Sequence, residues 1–334
     1  AEEYGPIVRI NVFHKVALLV LSPEGVKSRG PLGIWSGSTP RNMAHTNPVI
    51  FFLKFSSYLM GLIETFNDQA EELMKELEKK ADGETIVDVM SLLRRVTLDI
   101  IAKVAFGLEL KTLHDDKTPF LHAVNMVTIG LRNLRVPLFE LVMSDKKYMP
   151  WNRKVVKEIR ESVKLLRRTG KECIEQRKRA IQNEEDVPLD VLTQILKNAG
   201  RQENGTICMP HFMFILHGNT KLFVGLGSLV SDLMSHCHET SANQLSFTIM
   251  ELARHPEMIA KLQAEVDDII GMKRSIAYKD LVNLKYLSQV LKESLRLYPP
   301  AVATLRWTGK ENIINGIKIP ADTTLIVSLL NGQL

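Results

Sequence analysis

Between residues 59 and 104 apolar side chains return every three or four positions, twice over. Leu59, Leu62, Ile63, Phe66, Ala70, Leu73, Met74 and Leu77 draw one stripe, and Asp82-Gly83 stops it. Val89, Leu92, Leu93, Val96, Ile100 and Val104 draw a second, ending at Gly107. A chain of this period must bury one face of each helix against other helices, so the fold class is mainly α. The same spacing predicts helices near 118–134, 151–181, 189–198, 238–254, 256–270 and 284–297, with Pro256 in the first turn of its helix.

Strands are expected only toward the ends, as small β-sheets. Val8, Ile10 and Val12 alternate with Arg9 and Asn11 and lead into VALLVLS, which reads as a hairpin ended by Ser22-Pro23. Asn315-Gly316 separates two short β-prone runs, a signal for a tight hairpin. Residues 31–48 hold three Pro and two Gly without periodicity, and 211–235 are hydrophobic but follow no clean period. These two stretches are atypical. The lone GLG at 225–227 lacks the spacing of a dinucleotide loop and is assigned no phosphate.

At 334 residues, with 45% hydrophobic and 24% charged, the chain can build a substantial core, and neither disorder nor a coiled coil is indicated. Net charge is 43 − 38 = +5, yet residues 151–180 alone hold eleven Lys/Arg against four Glu, a local +7. That segment reads as an amphipathic helix with a cationic outer face, solvated or docked on an anionic membrane surface or acidic partner. No aromatic interleaving or nucleic-acid motif accompanies it, so no nucleic-acid partner is expected. Cys173, Cys208 and Cys237 are too few and too scattered for a disulfide framework. No run approaches the roughly 18 apolar residues of a membrane span, and no anchor is expected within these residues.

Chemistry-bearing residues fall in two places. HCHETSANQLSF, residues 236–247, sets two His, a Cys and a Glu together. On a helix, His236 and His238 point about 200° apart and cannot clasp one ion, and the i+4 position a zincin needs is Ala242. No metal site is therefore expected from them. Glu239-Thr240 has another use: a hydroxyl to hydrogen-bond a bound oxygen ligand, and a carboxylate to pass protons through water. The plainer reading is a surface Glu beside a Thr bonded to its own helix. Glu293 and Arg296 lie one turn apart in LKESLRLYPP, opposite the stripe of Leu287, Val290, Leu291 and Leu297, and by spacing alone make an exposed ion pair.

Together the acid-alcohol element HETSANQLSF, the following ELARHPEMIAKLQAEVDDIIG, the E-x-x-R element KESLRLYPP and Arg306 resemble the cytochrome P-450 family. YGPIVRINVFHK, ETFNDQAEELMKELEKKADG and VPLDVLTQILK are similar to its sterol-hydroxylating branch, cholesterol 24-hydroxylase above all. The resemblance implies a single domain over 1–334, an incomplete cytochrome P-450 fold with an α-helical part and a small β-rich region, incomplete at both ends. It implies haem b as cofactor and NADPH electrons delivered through a reductase. It further implies hydroxylation of a sterol such as cholesterol with dioxygen, at the cytosolic face of the endoplasmic reticulum membrane. Glu239 and Thr240 would be the catalytic proton-delivery pair, Glu293 and Arg296 a buried structural ion pair behind the haem, and Arg306 a haem-propionate contact.

Three departures from that pattern set further expectations. The haem-thiolate cysteine loop is expected downstream of Leu334, and none of the three cysteines stands in for it, so the chain is expected to be inactive as written. His236-Cys237 occupy the place of a small Ala-Gly pair, and residues 31–48 replace the helix that carries a Trp and an Arg for the propionates. A non-catalytic lipid-binding or interaction isoform is the alternative function.

Overall fold

The computed structural model describes residues 7–12, 15–20, 60–115, 118–134, 153–188, 190–199, 226–301, 303–314 and 316–328. The atypical stretch 31–48, residues 211–225 and Cys208 lie outside the described residues.

Helix dominates, as the apolar period requires. α1 (Ile63–Glu78) and α2 (Val89–Phe106) occupy the two stripes. α2 begins where Asp88 accepts a hydrogen bond from the Ser91 amide, a side-chain cap for one of the orphan donors of the first turn. It ends at Gly107, whose φ of 67° is the left-handed conformation that closes helices. α3 (Pro119–Leu134), α4 (Arg153–Gln182) and α5 (Val191–Ala199) follow. The principal core lies among these: Leu98, Ala102 and Phe106 of α2 pack with Leu121 and Val124 of α3, Leu166 and Ile174 of α4, and Leu192 of α5. α1 buries no residue fully, and its Phe66 and Met74 remain exposed, so the first stripe covers the edge of the core rather than entering it.

α6 (Leu226–Arg254) is longer than its periodicity predicts, beginning at Leu226 rather than near residue 238. The added turns hold Gly227, Ser228, Ser231 and Ser235, small residues that weaken the apolar period while leaving helix hydrogen bonding intact. α7 (Pro256–Ile269), the short α8 (Tyr278–Asn283), absent from the sequence reading, and α9 (Lys285–Leu297) complete the helical part.

β1 (Ile7–Val12) and β2 (Lys15–Val20) form the expected antiparallel hairpin, with Val12 opposite Lys15. β3 (Ala303–Trp307) and β6 (Thr324–Ser328) pair antiparallel, and β6 also lies parallel to β2, giving one sheet in the order β1-β2-β6-β3. β4 (Asn312–Ile314) and β5 (Ile317–Ile319) make the second hairpin, closed by Gly316 at φ 76°.

Candidate functional site

α6 carries Glu239 and Thr240 at the level where it crosses α2. The Thr97 hydroxyl of α2 lies 2.8 Å from the His238 carbonyl oxygen, within hydrogen-bonding reach, in a contact where both residues are buried. Beside it, Arg94 Nη2 stands 3.6 Å from Glu239 Oε1, with the two side chains 33% and 17% exposed. At that distance the attraction is between charges rather than a hydrogen bond. The Arg94 Nε, buried, makes no hydrogen bond. Thr240 is exposed, one residue on and about 100° around the helix from the carboxylate. A half-shielded acid next to an accessible hydroxyl is a geometry that can hold and move a proton.

Toward its C-terminal end the same helix is fastened to α9 by polar contacts. Gln244 donates through Nε2 to the Leu291 carbonyl at 3.1 Å, and the hydroxyls of Thr248 and Ser294 are 2.9 Å apart. Tyr298 then donates to Glu251 at 2.7 Å and stacks on Phe247 with ring centroids 4.6 Å apart. The hydrogen bond from Tyr298 holds its phenol pKa above the ordinary value. These bonds fix the axial position of α9 against α6, and with it the position of the E-x-x-R pair relative to the acid-alcohol pair.

Arg296 grips Glu293 with two parallel bonds, Nη2 to Oε1 at 2.7 Å and Nε to Oε2 at 2.8 Å. The Arg296 hydrogen bond holds the Glu293 carboxyl below, and Glu293 holds the guanidinium above, their ordinary values. Glu293 is 56% and Arg296 38% exposed, the placement their spacing opposite the apolar stripe predicts and not the burial that the family resemblance implies. The reason is rotational. Ser294, not a leucine, is the residue of α9 buried against α6, so its neighbours one before and two after it face outward, as does Leu297 of the expected apolar stripe. Arg306 sits in β3 opposite Leu325, and its side chain lies outside the described residues, as does that of Cys237.

Arg94 and Thr97 escaped the sequence reading because they belong to a helix more than 140 residues earlier in the chain. The polar seam left a trace, Gln244 and Thr248 at i,i+4 in α6, but its partner Ser294 could not be inferred from it.

Among the described residues no three His, Cys, Asp or Glu side chains converge where a metal ion could sit. His238 is buried, and its carbonyl accepts from Thr97. The described residues do not complete a haem-thiolate site either. Such iron is held by a cysteine thiolate, which positive surroundings favour and apolar burial opposes. Cys173, the described thiol, is buried in α4 and lies 3.5 Å from the Phe106 carbonyl, and burial pushes its pKa up. It borders a cavity of about 280 Å³ together with Gly107, Arg177 and Pro188, none of them on α6 or α9.

The sequence profile described as "Cytochrome P450" matches residues 43–331. Three curated proteins illustrate the similarity. "Cytochrome P450 4d2" of Drosophila melanogaster is 24% identical over 98% of this chain and 68% of its own length. "Cytochrome P450 3A56" of Fundulus heteroclitus is 25% identical over 81% and 52%. "Protein LUTEIN DEFICIENT 5, chloroplastic" of Arabidopsis thaliana is 30% identical over 82% and 44%. The chain thus spans from under half to about two thirds of the length of these relatives, and they do not single out a sterol-hydroxylating branch.

Proposed function

Because this chain belongs to the cytochrome P450 family, we propose that it serves haem-dependent monooxygenation of an apolar lipid of the sterol class. Electrons would come from NADPH through a reductase partner, and the protein would work against a membrane surface, the cytosolic face of the endoplasmic reticulum. The observation that carries this reading is the α6–α9 pairing, which places the acid-alcohol pair and the E-x-x-R pair on two helices fastened in fixed relation.

Haem, the cofactor of the family, supplies the activation of dioxygen when bound. The residues of this chain supply proton handling and support. Glu239, held near Arg94, would exchange protons with solvent, and Thr240 would supply a hydrogen-bonding hydroxyl beside it. Thr97 fixes the α6 backbone at His238, so that both side chains leave the helix at a set level. Arg306 would contact a haem propionate, the role that the resemblance to the family implies for it.

The test is to supply hemin to the purified chain, record the reduced carbon-monoxide spectrum, and add reductase, NADPH and cholesterol. This reading expects neither a ferrous-carbonyl band at the thiolate position nor product from residues 1–334, whose described thiol Cys173 is buried, and both from the protein expressed from its whole coding sequence. The burial of Cys173 favours a second reading, a non-catalytic lipid-binding or interaction isoform. In that case residues 1–334 bind sterol saturably but neither preparation gives the thiolate band or product.

A further inference from the structure

α4 buries Ser162, Leu166, Gly170, Cys173 and Ile174 along one side. Its other side carries Arg153, Lys157, Arg160, Lys164, Arg167 and Lys171, all exposed and spaced by four, three, four, three and four residues. That spacing holds six cations on one line, which at 1.5 Å per residue runs about 27 Å along the helix. The flanking carboxylates are loosely engaged: Glu161 is 3.9 Å from Lys157, and Glu175 is 3.7 Å from Lys171. Among the described residues, Arg153, Arg160, Lys164 and Arg167 form no ion pair, the carboxylates of α4 lying against Lys157, Arg168, Lys171 and His122 of α3.

We propose that this ridge is the face on which the protein lies against a bilayer bearing anionic headgroups. The inference rests on the membrane-surface part of the function above and is independent of its haem chemistry. Three features select a lipid surface over a protein. The ridge is convex and charged along its length, without the aromatic or aliphatic anchors that concentrate binding energy in protein interfaces. Its cations are long and flexible, and the anionic lipids of a fluid bilayer can gather beneath such a line, whereas the acidic groups of a folded partner cannot rearrange to match it. Because α4 gives its apolar face to the core, the helix cannot insert, and contact is confined to headgroups within a Debye length. No helix among the described residues is long and apolar enough to cross a membrane, so a surface contact is the mode these residues offer.

Co-sedimentation of the full chain with phosphatidylcholine vesicles, with and without phosphatidylserine, tests the proposal. Binding is expected to require phosphatidylserine and to weaken as salt is raised. Each Lys or Arg near such a surface contributes about fivefold in partitioning, so K164E/R167E/K171E should reduce it on the order of a hundredfold or more. K164Q/R167Q/K171Q, a milder change with circular dichroism as the folding check, should fall part of the way. K261E/K279E/K292E makes the same change in net charge on other faces and should retain most of the binding. Equal sedimentation with pure phosphatidylcholine, full binding by the ridge variants, or equal loss in the control would each overturn the proposal, as would tighter retention on duplex DNA than on vesicles. Sterol binding and turnover assayed in detergent, without vesicles, report on the function separately.

Discussion

Asp82, in the turn after α1, accepts hydrogen bonds from the amides of Glu84 and Thr85, and the Thr85 hydroxyl and these amides draw its carboxyl down to about 2 from the ordinary 3.8. A depressed carboxyl stabilises the folded state above its unfolded pKa, and that contribution is lost as pH falls through about 2. Urea midpoints of the parent and Asp82→Ala should therefore differ at neutral pH and converge below about pH 2. Deeper in the fold, Arg177 and Asp190 form an ion pair with side chains 10% and 3% exposed. Arg177 also donates to the Thr193 hydroxyl and the Phe106 carbonyl, while Asp190 accepts the Thr193 amide at the start of α5. Asp190→Ala leaves a buried guanidinium without its counter-charge and should cost roughly 3–5 kcal/mol, read from denaturant unfolding. Gly107 was legible as a helix stop from its position alone. That a Cβ there would lie 2.9 Å from both Arg177 Nη2 and Asp190 Oδ2 was not, because those atoms arrive from later helices.

The bounds of the elements followed from short-range pattern wherever pattern was strong. α9 was expected over 284–297 and runs Lys285–Leu297; Asn315-Gly316 was expected to turn a hairpin, and β4 and β5 flank it. The pattern failed for the first turns of α6, where Gly and Ser dilute the apolar repeat. In α9 the expected line of Leu287, Val290 and Leu291 is partly buried and continues at Ser294 rather than at Leu297, since a leucine stripe cannot say that a serine will face the neighbouring helix. The Thr248–Ser294 contact is the testable part of that packing. Thr248→Val keeps the shape but leaves the Ser294 hydroxyl, 4% exposed, without its partner. A loss of about 1–3 kcal/mol in urea unfolding is expected, with the larger change in hydrogen exchange confined to α6 and α9.

Over the whole molecule, stability should concentrate where α2, α3, α4 and α5 meet. Leu98, fully buried there, should cost about 2–5 kcal/mol when changed to Ala, whereas Met74→Ala on the exposed side of α1 should stay within about 0.5 kcal/mol, both by urea melts. The sequence by itself determined a mainly helical fold, most helix bounds, both hairpins and the cationic line of α4, because each depends on neighbours within a turn or two along the chain. It also carried the motifs that resemble the family whose profile spans residues 43–331. Only the tertiary structure decided that β2 lies parallel to β6, about 300 residues away, and that Arg94 and Thr97 meet the helix turn at His238 and Glu239. Each of these follows from how one packed element is rotated and placed against another, and residue spacing within a single element carries no information about its partner's orientation.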